Sequence, residues 1–118
     1  MYHVLIIEDE PLVAMAIQDI LESQGATSFE IADTQEAAVS AATAHQPDMI
    51  TSDVKLLEGT GPHAVAEIHR RLGPVPVIFI SGTPEECIPC NPPGSIVLKP
   101  FTAQALISAF REVGIAAI

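Results

Sequence analysis

Five side chains in this sequence have types that suit phosphate chemistry, and each follows a short apolar run. Glu8 and Asp9 follow the first run, Asp53 the third, Ser81 the fourth and Lys99 the fifth. Three carboxylates gathered at one place repel each other and raise each other's pKa unless a cation balances them. An oxygen-only donor set, without His or Cys, favours Mg²⁺ over zinc. An aspartate can attack phosphorus and form an acyl phosphate. A metal ion and an ammonium would neutralise charge on the transferring group, while a serine hydroxyl would hydrogen-bond one of its oxygens.

Each residue also has an ordinary explanation. Glu8 and Asp9 suit the amino end of a helix, where acids are favoured. Asp53 could be a loop acid after a strand, and Ser81 a turn residue. Lys99 could form a structural ion pair with one of the acids, because an ammonium beside an apolar strand needs a carboxylate. What distinguishes the set is that all five fall at the carboxyl ends of expected strands. In an open parallel sheet, that edge is where ligands bind.

The elements that would place them alternate short apolar runs with helical patterns, the signature of a parallel α/β sheet. The first strand reads His3 to Ile7, His-Val-Leu-Ile-Ile, and its continuous apolar run suggests a strand covered on both faces. A helix follows from Pro11 to about Gln24, with Val13, Ile17, Ile20 and Leu21 inward and Gly25 as its stop. A second strand covers Ser28 to Ala32. Asp33 with Glu36 reads as a capping box for an alanine-rich helix ending before Pro47, whose small residues let it lie close to the sheet. A third strand runs from Asp48 to Ser52. Leu56 to Pro62 reads as a loop, and the helix after it turns Val65, Ile68 and Leu72 inward before Gly73. The fourth strand is Val75 to Ile80. Thr83-Pro84-Glu85-Glu86 starts a helix that Pro89, Pro92 and Pro93 cut short. A fifth strand covers Ser95 to Leu98, and the last helix follows Thr102, burying Ala103, Leu106, Ile107, Phe110 and Val113.

The chain has 118 residues, 48% of them hydrophobic, which suits one domain over 1–118 with a core of its own. No apolar run reaches the roughly 18 residues of a membrane span, and the start lacks a basic signal-peptide region. A cytoplasmic protein is expected. The formal net charge is −10, with five Lys and Arg residues. That leaves no basic face for nucleic acid and fits a protein partner. Cys87 and Cys90 form a CxxC pair in a proline-rich stretch. Without a second Cys or His pair at suitable spacing, they read as incidental loop thiols, not a metal or redox centre.

Together these segments resemble a response-regulator receiver domain over essentially the whole chain. The matching pieces are Ile-Glu-Asp-Glu-Pro at 7–11, Ser-Asp-Val-Lys-Leu at 52–56, Ile-Ser-Gly at 80–82 and Leu-Lys-Pro-Phe at 98–101. Each is weak alone; their order and spacing carry the signal. The resemblance implies a flavodoxin-like three-layer sandwich: a five-stranded parallel sheet in the order 2-1-3-4-5, here with a shortened fourth helix. It implies Asp53 as phosphoacceptor and Asp9 as direct Mg²⁺ ligand, with Glu8 acting through a water. The Lys55 backbone carbonyl is implied as a further ligand, Ser81 as the hydroxyl that senses the phosphoryl group, and Lys99 as its cationic partner. No organic cofactor is implied. The implied phosphodonor is a histidine kinase or histidine phosphotransfer protein, with a downstream protein partner for output.

The sequence departs from the pattern at Ile96, where the family usually has Tyr or Phe, and in the proline-rich stretch after Gly82. The Pro76-x-x-Phe79-x-Ser81-Gly82 run is similar to an atypical proteobacterial subset lacking the aromatic switch, some of it linked to general stress signalling. The expectation is a stand-alone receiver acting in a phosphorelay, not an enzyme. Two other readings stay open: a binding domain that is never phosphorylated, and a phosphatase acting through an aspartyl intermediate.

Overall fold

The computed structural model describes residues 2–82 and 94–115. Five strands, β1 (His3–Ile7), β2 (Ser28–Ala32), β3 (Met49–Ser52), β4 (Val77–Ser81) and β5 (Gly94–Leu98), form one sheet. Its order is β2-β1-β3-β4-β5, and every pairing is parallel. This is the expected topology. The described helices are α1 (Pro11–Ser23), α2 (Gln35–Ala44), α3 (Gly61–Leu72) and α4 (Ala103–Ile115). The expected short helix after Thr83, and the Cys87 and Cys90 pair, lie outside the described residues.

Strand alternation divides the core in two. Leu5, Ile7, Ile50, Val77 and Phe79 face α2 and α3, packing on Ala38, Ala42, Ala64, Val65 and Ile68. Val4, Ile6, Met49, Ile78 and Ile80 face the opposite way, onto Ile17 and Leu21 of α1 and Leu106 and Val113 of α4. A strand buried on both faces needs no polar alternate residue, which is why β1 and β4 read as continuous apolar runs. Ala38 and Ala42 are fully buried, so α2 approaches the sheet through methyl groups, as its composition implies.

Several boundaries shift for local reasons. The α2 cap is Thr34, not Asp33: Thr34 Oγ1 accepts from the Ala37 amide at 3.1 Å. Helix α3 begins at Gly61, inside the stretch expected to be a loop. Thr60 Oγ1 accepts from the His63 amide at 3.2 Å, and Pro62 fits the first turn, where its missing amide costs nothing. Strand β4 begins after Pro76, which has no amide for the ladder, and extends through Ser81. In α1, Ala14 takes a buried place beside Ile17 and Leu21, and Val13 and Ile20 are half-buried. In α4, Ala103 is exposed, and Ala109 is buried in its stead. Gly25 and Gly73 end α1 and α3 at φ of 106° and 90°, as a left-handed stop requires. Among the described residues, no helix is long and apolar enough to cross a membrane.

Candidate functional site

Parallel pairing puts the carboxyl ends of the strands on one edge. In register, Ile7 pairs with Ser52 and Ser81 with Leu98. The next residues in β1, β3 and β5 are therefore Glu8, Asp53 and Lys99, with Ser81 closing β4. The chain leaves β1 for β2 on one side and β3 on the other, so the switch point where α/β sheets bind ligands lies between β1 and β3, where Glu8 and Asp53 stand.

Asp53 is fixed at four points. Its amide donates to the Ile7 carbonyl at 2.9 Å. Its Oδ1 accepts from the Val54 amide at 2.7 Å, and its Oδ2 from Lys99 Nζ at 3.1 Å. Its carbonyl accepts from Ser52 Oγ at 2.8 Å. The side chain remains 12% exposed, so the carboxylate is held yet reachable.

Lys99 also reaches Glu8, with Nζ 3.3 Å from Oε1. Burial alone would depress the ammonium pKa; the Glu8 charge and the Asp53 hydrogen bond outweigh it and hold the pKa above its ordinary value. Glu8 is 2% exposed. Burial first, and then the Asp53 charge, push its carboxyl up to about 7, although Lys99 and the Glu10 amide pull the other way.

Asp9 lies with Glu8 and Glu10, whose carboxylate oxygens fall within 4.8 Å of one another. Glu10 extends the acidic group beyond the two acids singled out in the sequence. The donors are hard oxygens with excess negative charge, so the set fits Mg²⁺. Lys55 lies two residues past Asp53, where its backbone bridges to Thr60. Ser81 is 1% exposed at the end of β4, and its carbonyl accepts from the Lys99 amide at 3.0 Å. The structure thus brings Glu8, Asp53 and Lys99 into direct contact, and places Asp9, Lys55 and Ser81 on the same edge. Ile96, in place of the usual aromatic residue, is exposed on β5.

One positioning residue escaped the sequence reading. A Cβ on Gly61 would sit 1.7 Å from the Asp53 carbonyl oxygen and 2.2 Å from Ser52 Oγ. Only glycine lets the first turn of α3 pass so near the Asp53 backbone. Nothing in the local sequence distinguishes Gly61 from an ordinary loop glycine.

Comparison with known proteins agrees with this fold. The family model described as the response regulator receiver domain matches residues 4–111. The phyllosphere-induced regulator PhyR of Methylorubrum extorquens is 36% identical over 102 residues, covering 83% of this chain and 38% of the regulator. The chain therefore spans well under half the length of that relative. The PhyR response regulator receiver domain of Erythrobacter litoralis, solved by NMR, superposes with a TM-score of 0.84 at 32% identity, covering 95% of this chain and 88% of that one. In fold alone, the chain also matches the receiver domain of the Pseudomonas aeruginosa sensor kinase PA1611, which has magnesium coordinated in its active-site cleft. That likeness has a TM-score of 0.83 at 24% identity, covering 95% of this chain and 96% of that one. Receiver domains are signalling modules, not classical enzymes; they generally bind Mg²⁺ at their acidic site and interact with histidine kinases or phosphotransfer proteins. With the matched segment spanning nearly the whole chain, this protein belongs to the response-regulator receiver domain family.

Proposed function

We propose that Asp53 accepts a phosphoryl group from a phosphohistidine donor in two-component signalling. The observation that carries this reading is the Lys99 ammonium, held between Asp53 Oδ2 and Glu8 Oε1 at 3.1 and 3.3 Å. An Asp53 oxygen attacks phosphorus, the phosphorus–nitrogen bond of the donor imidazole breaks, and an acyl phosphate forms on Asp53. The imidazole nitrogen keeps the electron pair of the broken bond. Lys99 balances charge on the phosphoryl oxygens, and the Ser81 hydroxyl hydrogen-bonds one of them. The Val54 amide at Asp53 Oδ1 holds the carboxylate for attack.

Glu8, Asp9, Asp53 and the Lys55 carbonyl would hold Mg²⁺. When bound, the ion supplies further positive charge at the phosphoryl oxygens. The donor is a histidine kinase or a histidine phosphotransfer protein in the cytoplasm. Leu12 and Leu57 are exposed on the two segments that follow β1 and β3. Large apolar side chains beside the acidic edge suit the docking of a protein donor.

The test is incubation with acetyl phosphate and Mg²⁺, followed by electrophoresis in a phosphate-retarding gel. The native protein gives a slow band that is lost in Asp53→Asn and on adding chelator. No band in the native protein, or an undiminished band in Asp53→Asn, would sink the reading.

A further inference from the structure

The amino end of the sheet, opposite the acidic edge, holds a second group of ligating side chains. His3 opens β1, Glu30 lies in β2, and His45 caps the carboxyl end of α2. One ligating atom from each lies within 4.8 Å of the other two. His3 Nε2 is 3.4 Å from Glu30 Oε1, and His45 Nδ1 is 3.9 Å from the same oxygen.

His3 is unusually constrained for a histidine at a strand end. It is 2% exposed. Asp48 grips its backbone from both sides: the His3 amide donates to Asp48 Oδ2, and the His3 carbonyl accepts from the Asp48 amide, each at 2.7 Å. Its Nδ1 is hydrogen-bonded to Ser28 Oγ at 2.8 Å. The other ring nitrogen, Nε2, is buried without a hydrogen-bond partner. A buried nitrogen without a partner destabilises the fold unless something meets it. Here it faces a carboxylate and a second imidazole.

We propose that His3 Nε2, Glu30 and His45 Nδ1 bind one zinc-class divalent ion. Two imidazole nitrogens and one carboxylate oxygen make a three-ligand set with a fourth position open. Imidazole suits zinc, whereas Mg²⁺ prefers oxygen, so the two ends of the sheet select different ions. The Ser28 hydroxyl acts as the outer partner that a ligating histidine normally has on its second nitrogen. The His3 and His45 rings are stacked, with centroids 3.8 Å apart and planes 12° apart. One ion cannot lie in both planes of such a stack. His3 is fixed, so His45 turns to bring Nδ1 onto the ion. Its side chain is 47% exposed and has room to do so.

The test is calorimetric titration of Zn²⁺ into a Cys87→Ser/Cys90→Ser double variant with Mg²⁺ in excess, so that neither thiols nor the acidic edge account for the heat. One equivalent binds at micromolar affinity or better. His45→Ala and Glu30→Gln, both at partly exposed positions that leave the core untouched, each weaken binding by at least about 10-fold, the smallest loss typical even of an outer partner. In ¹⁵N-detected spectra, His3 Nε2 and His45 Nδ1 move on adding zinc, while His63 and His69 do not. No bound equivalent in the double-cysteine variant, or affinity unchanged in His45→Ala, overturns the proposal.

Discussion

Lys99 Nζ stands 3.1 Å from Asp53 Oδ2, and the same ammonium lies 3.3 Å from Glu8 Oε1. One cation thus balances two acids contributed by strands that are neighbours in the sheet. Its removal leaves the acids facing each other uncompensated. For Lys99→Met, metal-free stability at about pH 8 falls by about 1–3 kcal/mol, below the usual cost of breaking a fully buried pair because Lys99 keeps some exposure. The loss shrinks at about pH 5, where Glu8 takes up a proton. Chemical denaturation at the two pH values measures both; an equal loss at each would contradict the charge argument.

Glu8 also sets a pH dependence. Its carboxyl is raised from 4.5 to about 7, so between those values the folded state holds a proton that the unfolded chain has released. The contribution to stability is complete below about pH 4.5 and is lost as pH rises through about 7. Glu8→Gln, which stays neutral, flattens this slope. In chelator, its melting temperature exceeds that of the native protein at about pH 8 by more than at about pH 5. Parallel melting profiles for the two proteins across this window would remove Glu8 as the cause.

Gly61→Ala tests the close passage of α3 over Asp53. The added methyl would meet backbone at 1.7 Å, and backbone cannot swing aside as a side-chain tip can. The expected cost is about 2–3 kcal/mol, typical of overpacking. The amide resonances of Asp53 and Val54 shift with it. A variant as stable as the native protein, with those resonances unmoved, would show that the helix relaxes freely.

Ala38→Leu tests the seating of α2. Ala38 is fully buried against the sheet, and its neighbours leave no space for three more carbons. Stability falls by about 1–3 kcal/mol. Ser40→Leu, at an exposed position of the same helix, changes it by less than about 0.5 kcal/mol. Denaturant midpoints compare the two, and equal effects would mean that α2 is not held close.

The chain's local chemistry decided much of this molecule. Continuous apolar runs made β1 and β4 strands buried on both faces. Pro11, Gly25 and Gly73 bounded helices through their own backbone constraints. Parallel alternation put Glu8, Asp53, Ser81 and Lys99 at strand ends. Helix starts were less legible, because Asp33 and Thr34 are both good caps and only the path of the chain chose between them. Contacts over long separations belonged to the tertiary structure. Lys99 meets Glu8 across 91 residues, and only the β2-β1-β3-β4-β5 order makes them neighbours. Gly61 looks like a loop residue until α3 is seen to cross Asp53. His3, Glu30 and His45 share no motif, since they come from two strands and a helix end. Periodicity along a chain reports which face a residue takes; which partner waits on that face is set by packing.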